Sequence, residues 1–139
     1  MAQTVRDVMT ADVVTVDAGA VITDAASAMR ERDVGDVLVT TDGRACGIVT
    51  DRDLVIRGIA ERRNPDTTRV GDICSGELVS VAPTDPIDRA VKLMRDKAIR
   101  RVPVMEGNRP IGMVSIGDLA QDQDPGSALA DISGSPPNR

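Results

Sequence analysis

The chain has 139 residues and a formal net charge of −5, from 17 Lys and Arg against 22 Asp and Glu. That length suits one compact domain or two small ones, each with a core, and the acidic balance argues against nucleic acid or anionic membrane surfaces as partners. The sequence lacks His, Phe, Tyr and Trp, so it has neither the commonest general base and metal ligand nor an aromatic face on which a base could stack.

No apolar run approaches the roughly 20 residues of a membrane span, and the N-terminal "MAQTVRDVMTADVV" has no basic region leading an apolar one. A cytoplasmic setting is therefore expected. With only Cys46 and Cys74, no disulfide framework is expected.

In chain order, "VVTV" (13–16) is a short β-branched run that predicts a strand. Ile22, Ala25, Ala26 and Met29 then fall on one face of a helix. Two further apolar runs, "VLVT" and "CGIVT", flank the turn "DGR" and predict a hairpin. A helix is expected to start at Thr50, and Asn64-Pro65-Asp66 in the following stretch predicts a turn that ends it.

The same order then recurs. Shifting the chain by 65 positions lays Val5–Val55 over Val70–Ala120 without a gap, with 15 of 51 pairs identical, among them Val5/Val70, Met29/Met94, Gly47/Gly112 and Asp53/Asp118. The second copy reads strand "LVSV", helix from Ile87 through Ala90, Val91, Met94 and Ala98, hairpin "VPVM"–"GNR"–"IGMVS", and a helix from Ser115. Asp85 is placed to cap its first helix, with Pro86 at the first helical position. The units are thus expected at 4–61 and 70–120, with a linker at 62–69. A tail at 121–139, rich in Gly, Ser, Pro and Asp, is expected to be disordered.

The chemistry centres on "GIVTDRDL" and "GMVSIGDL" (47–54 and 112–119). In each, a hydroxyl residue is followed three positions later by Asp. One reading is a helix cap, Thr50 with Asp53 and Ser115 with Asp118. The other uses the same geometry for a ligand: helix-start N–H groups and the hydroxyl for a phosphate, the carboxylate for two ribose hydroxyls, and Gly47 and Gly112 for close approach. The two are compatible. The copies differ in charge. Arg52 and Arg57 follow Thr50, where the second copy has Gly117 and Asp122, and Arg100 and Arg101 precede "VPV", where the first copy has Gly35 and Asp36. Cys46 and Cys74 align with the apolar Ile111 and Met9, which favours simple packing; a redox pair is the sharper alternative. No nucleophile–base pair, P-loop or metal-ligand set occurs, so no catalytic or metal residue is assigned.

The Val-x-Asp-[Ile/Val/Met]-Met-Thr lead-in at 5–10, with Val-Gly-Asp-Ile-Cys-Ser in its place at 70–75, the "VTV" strand, "RRVPV" and the two Gly-led Thr/Ser-x-x-Asp motifs resemble tandem cystathionine-β-synthase (CBS) domains, a Bateman module, over residues of about 4–120. The joint "TDRDLVIRGIAE…NPDTT" is similar to small stand-alone actinobacterial members such as the hypoxic response protein group. The resemblance implies an α/β (α+β) fold of two β-α-β-β-α units packed sheet to sheet with pseudo-two-fold symmetry. It implies a non-catalytic sensor binding AMP, ADP, ATP or S-adenosylmethionine in clefts between the units, with no cofactor required. It also implies a homodimer and an effector protein that the sequence does not name. By position, the pocket residues carry over to Gly35, Asp36 and Val37 with Thr50, Arg52, Asp53 and Arg57, and to Arg100, Arg101 and Val102 with Ser115 and Asp118. Leu38 stands where the family pattern has the proline found here as Pro103. The alternatives are a ligand-free structural or interaction module, or a redox-responsive stress protein using Cys46 and Cys74.

Overall fold

The computed structural model describes residues 4–76, 78–124 and 126–135. The chain forms two compact units, and they do not follow the sequence repeat: one is Val13–Leu78, and the other joins Met1–Asp12 to Val79–Arg139. Each repeat's lead-in segment therefore completes the unit built on the other repeat's sheet. The same hydrogen bond marks both exchanges. Val70 N donates to Ala20 O at 2.8 Å, and its counterpart Val5 N donates to Asp85 O at 2.9 Å.

In the Val13–Leu78 unit, β1 (Thr15–Asp17), α2 (Ile22–Arg32, after the short α1 of the other unit, Val5–Val8), β2 (Asp36–Thr41) and β3 (Arg44–Thr50) follow one another. The sheet order is β1-β2-β3, with β1 parallel to β2 and β2 antiparallel to β3. Asp42 and Gly43 both have positive φ (54° and 78°), the backbone a two-residue hairpin loop of the primed kind requires. Ile22, Ala25 and Met29 on α2 meet Val37, Val39 and Val49 from the sheet and Val70 and Ile73 from the lead-in. Burying each of the larger side chains is worth roughly 1.5–3 kcal/mol. After β3 comes α3 (Asp51–Asp53), which widens into a π-helical turn over Leu54–Ile59. The predicted turn follows: the Asn64 side chain accepts from Asp66 N at 2.9 Å.

The other unit repeats the plan with α4 (Ile87–Lys97), β4 (Arg101–Glu106), β5 (Arg109–Ser115) and α5 (Ile116–Gln123). Val5, Val81, Ile87, Ala90, Met94, Val102, Val104, Val114 and Leu119 make its core. Three expectations need correction. The strand at "LVSV" shrinks to one parallel bridge, Val81 to Val104. In the first copy Ala18 N extends the ladder to Thr40 O at 2.8 Å, whereas its counterpart is Pro83, which has no N–H to give. Asp85 does not cap α4. Its Oδ2 accepts from Ala82 N at 2.8 Å and pairs with Arg89 Nε at 3.2 Å, and α4 opens at Pro86 with no side-chain cap. The tail is not wholly irregular either: α5 continues to Gln123, and α6 (Ala128–Ser133) is capped by Ser127 and buries Ala130. Residues 136–139 of the expected disordered tail lie outside the described residues. Among the described residues no helix is long and apolar enough to cross a membrane.

Candidate functional site

Both Thr/Ser-x-x-Asp motifs fold into closed capping boxes of the same geometry. Asp53 N donates to Thr50 Oγ1 at 3.1 Å, and Thr50 N donates to Asp53 Oδ2 at 2.9 Å. Asp118 N donates to Ser115 Oγ at 3.1 Å, and Ser115 N donates to Asp118 Oδ2 at 2.9 Å. The strand end leaves Thr50 and Ser115 extended, with ψ of 163° in each, and the sequence then turns directly into helix. Each hydroxyl accepts the cap bond and keeps its own O–H proton to donate. Each carboxylate spends Oδ2 on the cap, and Oδ1 takes no part in it. Thr50, Asp53, Ser115 and Asp118 are all half-buried, so the cap is not sealed.

The strand register brings the other expected residues to the same place. Asp36 pairs across the sheet with Thr50, and Gly35 O accepts from Asp51 N at 2.9 Å. Arg101 pairs with Ser115, and Arg100 O accepts from Ile116 N at 2.8 Å. The residue before the strand and the strand's first residue thus flank the helix start in each unit. Val37 and Val102 are also adjacent, but their side chains are fully buried in the cores.

The two constellations differ in charge. Arg57 Nε lies 3.8 Å from Asp53 Oδ1, and Arg57 Nη1 donates to Ile73 O at 3.2 Å. This guanidinium ties the cap carboxylate to the lead-in segment. The aligned residue in the other unit is Asp122, so this tie from the residue four positions on has no counterpart at Asp118. Asp51, which sequence reasoning passed over, adds a third carboxylate to the first group: its Oδ2 would lie 3.1 Å from a Cβ on Gly35. Its aligned partner is the apolar Ile116, and that contrast was visible in "TDRD" against "SIGD". Arg52, on the first turn of α3, is exposed. The Thr50 group therefore gathers Asp36, Asp51 and Asp53 with Arg52 and Arg57, and the Ser115 group gathers Arg100 and Arg101 with Asp118.

Gly47 and Gly112 serve a different close approach from the one expected. A Cβ on Gly47 would overlap the carbonyl oxygen of Ser75, and one on Gly112 would press on Met9 Sδ and stand 3.0 Å from Thr10 O. These glycines admit the exchanged lead-in segments. Two shallow depressions lie away from both groups: one of about 320 Å³ beside α6 and one of about 580 Å³ at the Asp42 hairpin tip. Among the described residues, no three His, Cys, Asp or Glu side chains cluster to hold a metal.

Comparison with known proteins agrees with this architecture. The CBS domain family model matches residues 5–58 and 70–123. The CBS domain-containing protein YhcV of Bacillus subtilis is 40% identical over 133 residues, covering 93% of this chain and 94% of that one. Hypoxic response protein 1 of Mycobacterium tuberculosis is 35% identical over 119 residues, covering 85% and 83%. A crystal structure of Hypoxic Response Protein I with two coordinated zinc ions superposes with a TM-score of 0.78 over 85% of this chain and 97% of that one. A hexameric CBS-CP12 protein from bloom-forming cyanobacteria is 28% identical, with a TM-score of 0.75 over 100% and 78%.

Proposed function

The chain belongs to the CBS domain family, as a tandem pair, and from that membership we propose that it is a non-catalytic sensor of an adenosine-type nucleotide, read by a separate effector protein. A CBS pair is a regulatory, ligand-binding module. The finer reading rests on one observation: two half-buried helix starts, each offering a hydroxyl proton, a carboxylate oxygen and the positive end of a helix. Phosphate meets the helix start, and the carboxylate accepts from the ribose hydroxyls.

Charge ranks the two starts. Arg100 and Arg101 favour a phosphate-bearing ligand such as AMP, ADP or ATP at Ser115 and Asp118. The three carboxylates of Asp36, Asp51 and Asp53 oppose one at Thr50, where Arg57 Nε lies 3.8 Å from Asp53 Oδ1. The Thr50 group suits a ligand without net negative charge, and S-adenosylmethionine, with its sulfonium cation, is one adenosine compound of that kind. Zinc forms no part of the reading, because the chain has no His and the described residues offer no three-ligand cluster.

A homodimer is part of the proposal. Val55, Ile56 and Ile59 project from one side of the helix after Thr50 with 52%, 46% and 68% of their surface exposed, an apolar face that a second copy would cover. A cytoplasmic setting accords with the two unbridged cysteines. The functional test is thermal melting with AMP, ADP, ATP, S-adenosylmethionine and NAD at millimolar concentration. Selective binding raises the melting temperature by mass action, and the rise with adenine nucleotides disappears in Asp118→Ala. A flat response to the whole panel refutes the proposal.

A further inference from the structure

Strand β3 carries an irregularity that the ligand reading leaves unused. The β2–β3 register jumps between Val39 and Thr40, from a partner at Gly47 to one at Ala45, and Cys46 is left as the extra residue of a bulge. A bulge re-aims a side chain that strict alternation would send to the opposite face. Cys46 Sγ lies 3.5 Å from Thr41 Oγ1 and 3.4 Å from Val39 O. Thr41 shares its face with Val39, whose side chain is in the core. Cys46 is thereby turned to the face on which Gly47 meets the lead-in segment.

Cys74 reaches that face from the other side. Ile48 and Ser75 exchange both backbone hydrogen bonds, at 3.2 and 3.0 Å, and this sets Cys74 diagonally across from Gly47. Its Sγ lies 3.3 Å from where a Gly47 Cβ would be. The two sulfurs flank a residue with no side chain, and both cysteines belong to the Val13–Leu78 unit. Both are free thiols, Cys46 exposed and Cys74 partly so.

We propose that Cys46 and Cys74 are a dithiol pair that closes to an intramolecular disulfide by exchange with a small external disulfide. The Cys46 thiolate attacks one sulfur of the external R–S–S–R, forms a mixed disulfide and releases one RS⁻, which takes up a proton. The Cys74 thiolate then attacks Cys46 Sγ and expels the second RS⁻. Two S–H bonds of the protein are lost, one S–S bond forms, and the external disulfide is reduced to two thiols. Burial, and next the proximity of Cys46, push the Cys74 thiol above its ordinary value; this sets the order, with exposed Cys46 reacting first. Closure draws Cys74 toward Cys46 across Gly47, whose missing side chain leaves the path between the sulfurs open, while the two Ile48–Ser75 hydrogen bonds hold the segment beside β3.

The test treats the full-length protein with oxidised glutathione and maps it by non-reducing proteolysis and mass spectrometry. The expected product is a peptide pair joined through Cys46 and Cys74, two hydrogens lighter than its reduced parts, and a higher melting temperature that dithiothreitol reverses. Cys74→Ser stops at a glutathione adduct on Cys46, and Cys46→Ser stays unmodified at the same exposure. Stable adducts on both cysteines of the wild type, or a bond between two chains through Cys46, overturn the proposal.

Discussion

At the scale of single residues, the repeated Thr/Ser-x-x-Asp motif is a helix cap in both units, and its proposed role as the ligand group separates from capping by experiment. Thr50→Ala and Ser115→Ala each remove a cap bond seen at 3.1 Å and should cost about 0.5–2 kcal/mol in denaturant unfolding. The Gly residues that open the two motifs divide by what they admit. Gly47→Ala drives a methyl into a backbone carbonyl that is fixed by its own hydrogen bonds to Ile48, and should cost about 3 kcal/mol. Gly112→Ala meets chiefly the flexible end of Met9 and should cost about 1 kcal/mol less than that; equal losses would contradict the exchanged lead-in geometry. The caps were legible from spacing alone, because Thr or Ser before an Asp three residues on satisfies local backbone groups. What the glycines approach was not legible, because Ser75 and Thr10 are distant in sequence and come from the exchanged segments. Asp51 was overlooked because its interest lies in the contrast with Ile116 and not in any motif.

Elements followed the sequence where periodicity and turn chemistry agreed, as in α2, α4 and the two hairpins. They departed from it where a single residue vetoed a pattern. The "LVSV" run has the composition of a strand, yet Pro83 ends its ladder two residues beyond the bridge at Val81. Helix α4 ends at Ala98, with φ of 54°, a left-handed conformation that costs an L-residue about 1–2 kcal/mol. Ala98→Gly relieves that and gives back part through unfolded-chain entropy. The net gain should be about 0.5–1 kcal/mol, visible as a raised melting temperature. Composition misled at the tail, where Gly and Pro outweighed the short apolar set Leu129, Ala130 and Ile132. Ala130 is 5% exposed and α6 lies along α5. Removing the chain after Asp124 should therefore lower the melting temperature by a few degrees; an unchanged melting curve would show that α6 adds nothing to its unit.

For the whole molecule, duplication was the most legible feature, since an ungapped overlay requires two copies of one plan. The exchange of lead-in segments was hidden, because both arrangements give the same local pattern and differ only in which sheet each segment completes. Arg57 joins the cap carboxylate Asp53 to Ile73 in the segment leading to the second repeat. Under the proposed function, a ligand that competes for Asp53 would also act on the connection between the repeats. The proposed asymmetry in ligand binding follows from charge, with acidic residues around Thr50 and arginines beside Ser115. Titration calorimetry of ATP into the wild-type protein, Asp53→Ala and Asp118→Ala tests this most directly. The account predicts one binding site per chain that Asp118→Ala abolishes and Asp53→Ala leaves within a few-fold. Unchanged ATP binding in Asp118→Ala, or no heat of binding in the wild type, would contradict it.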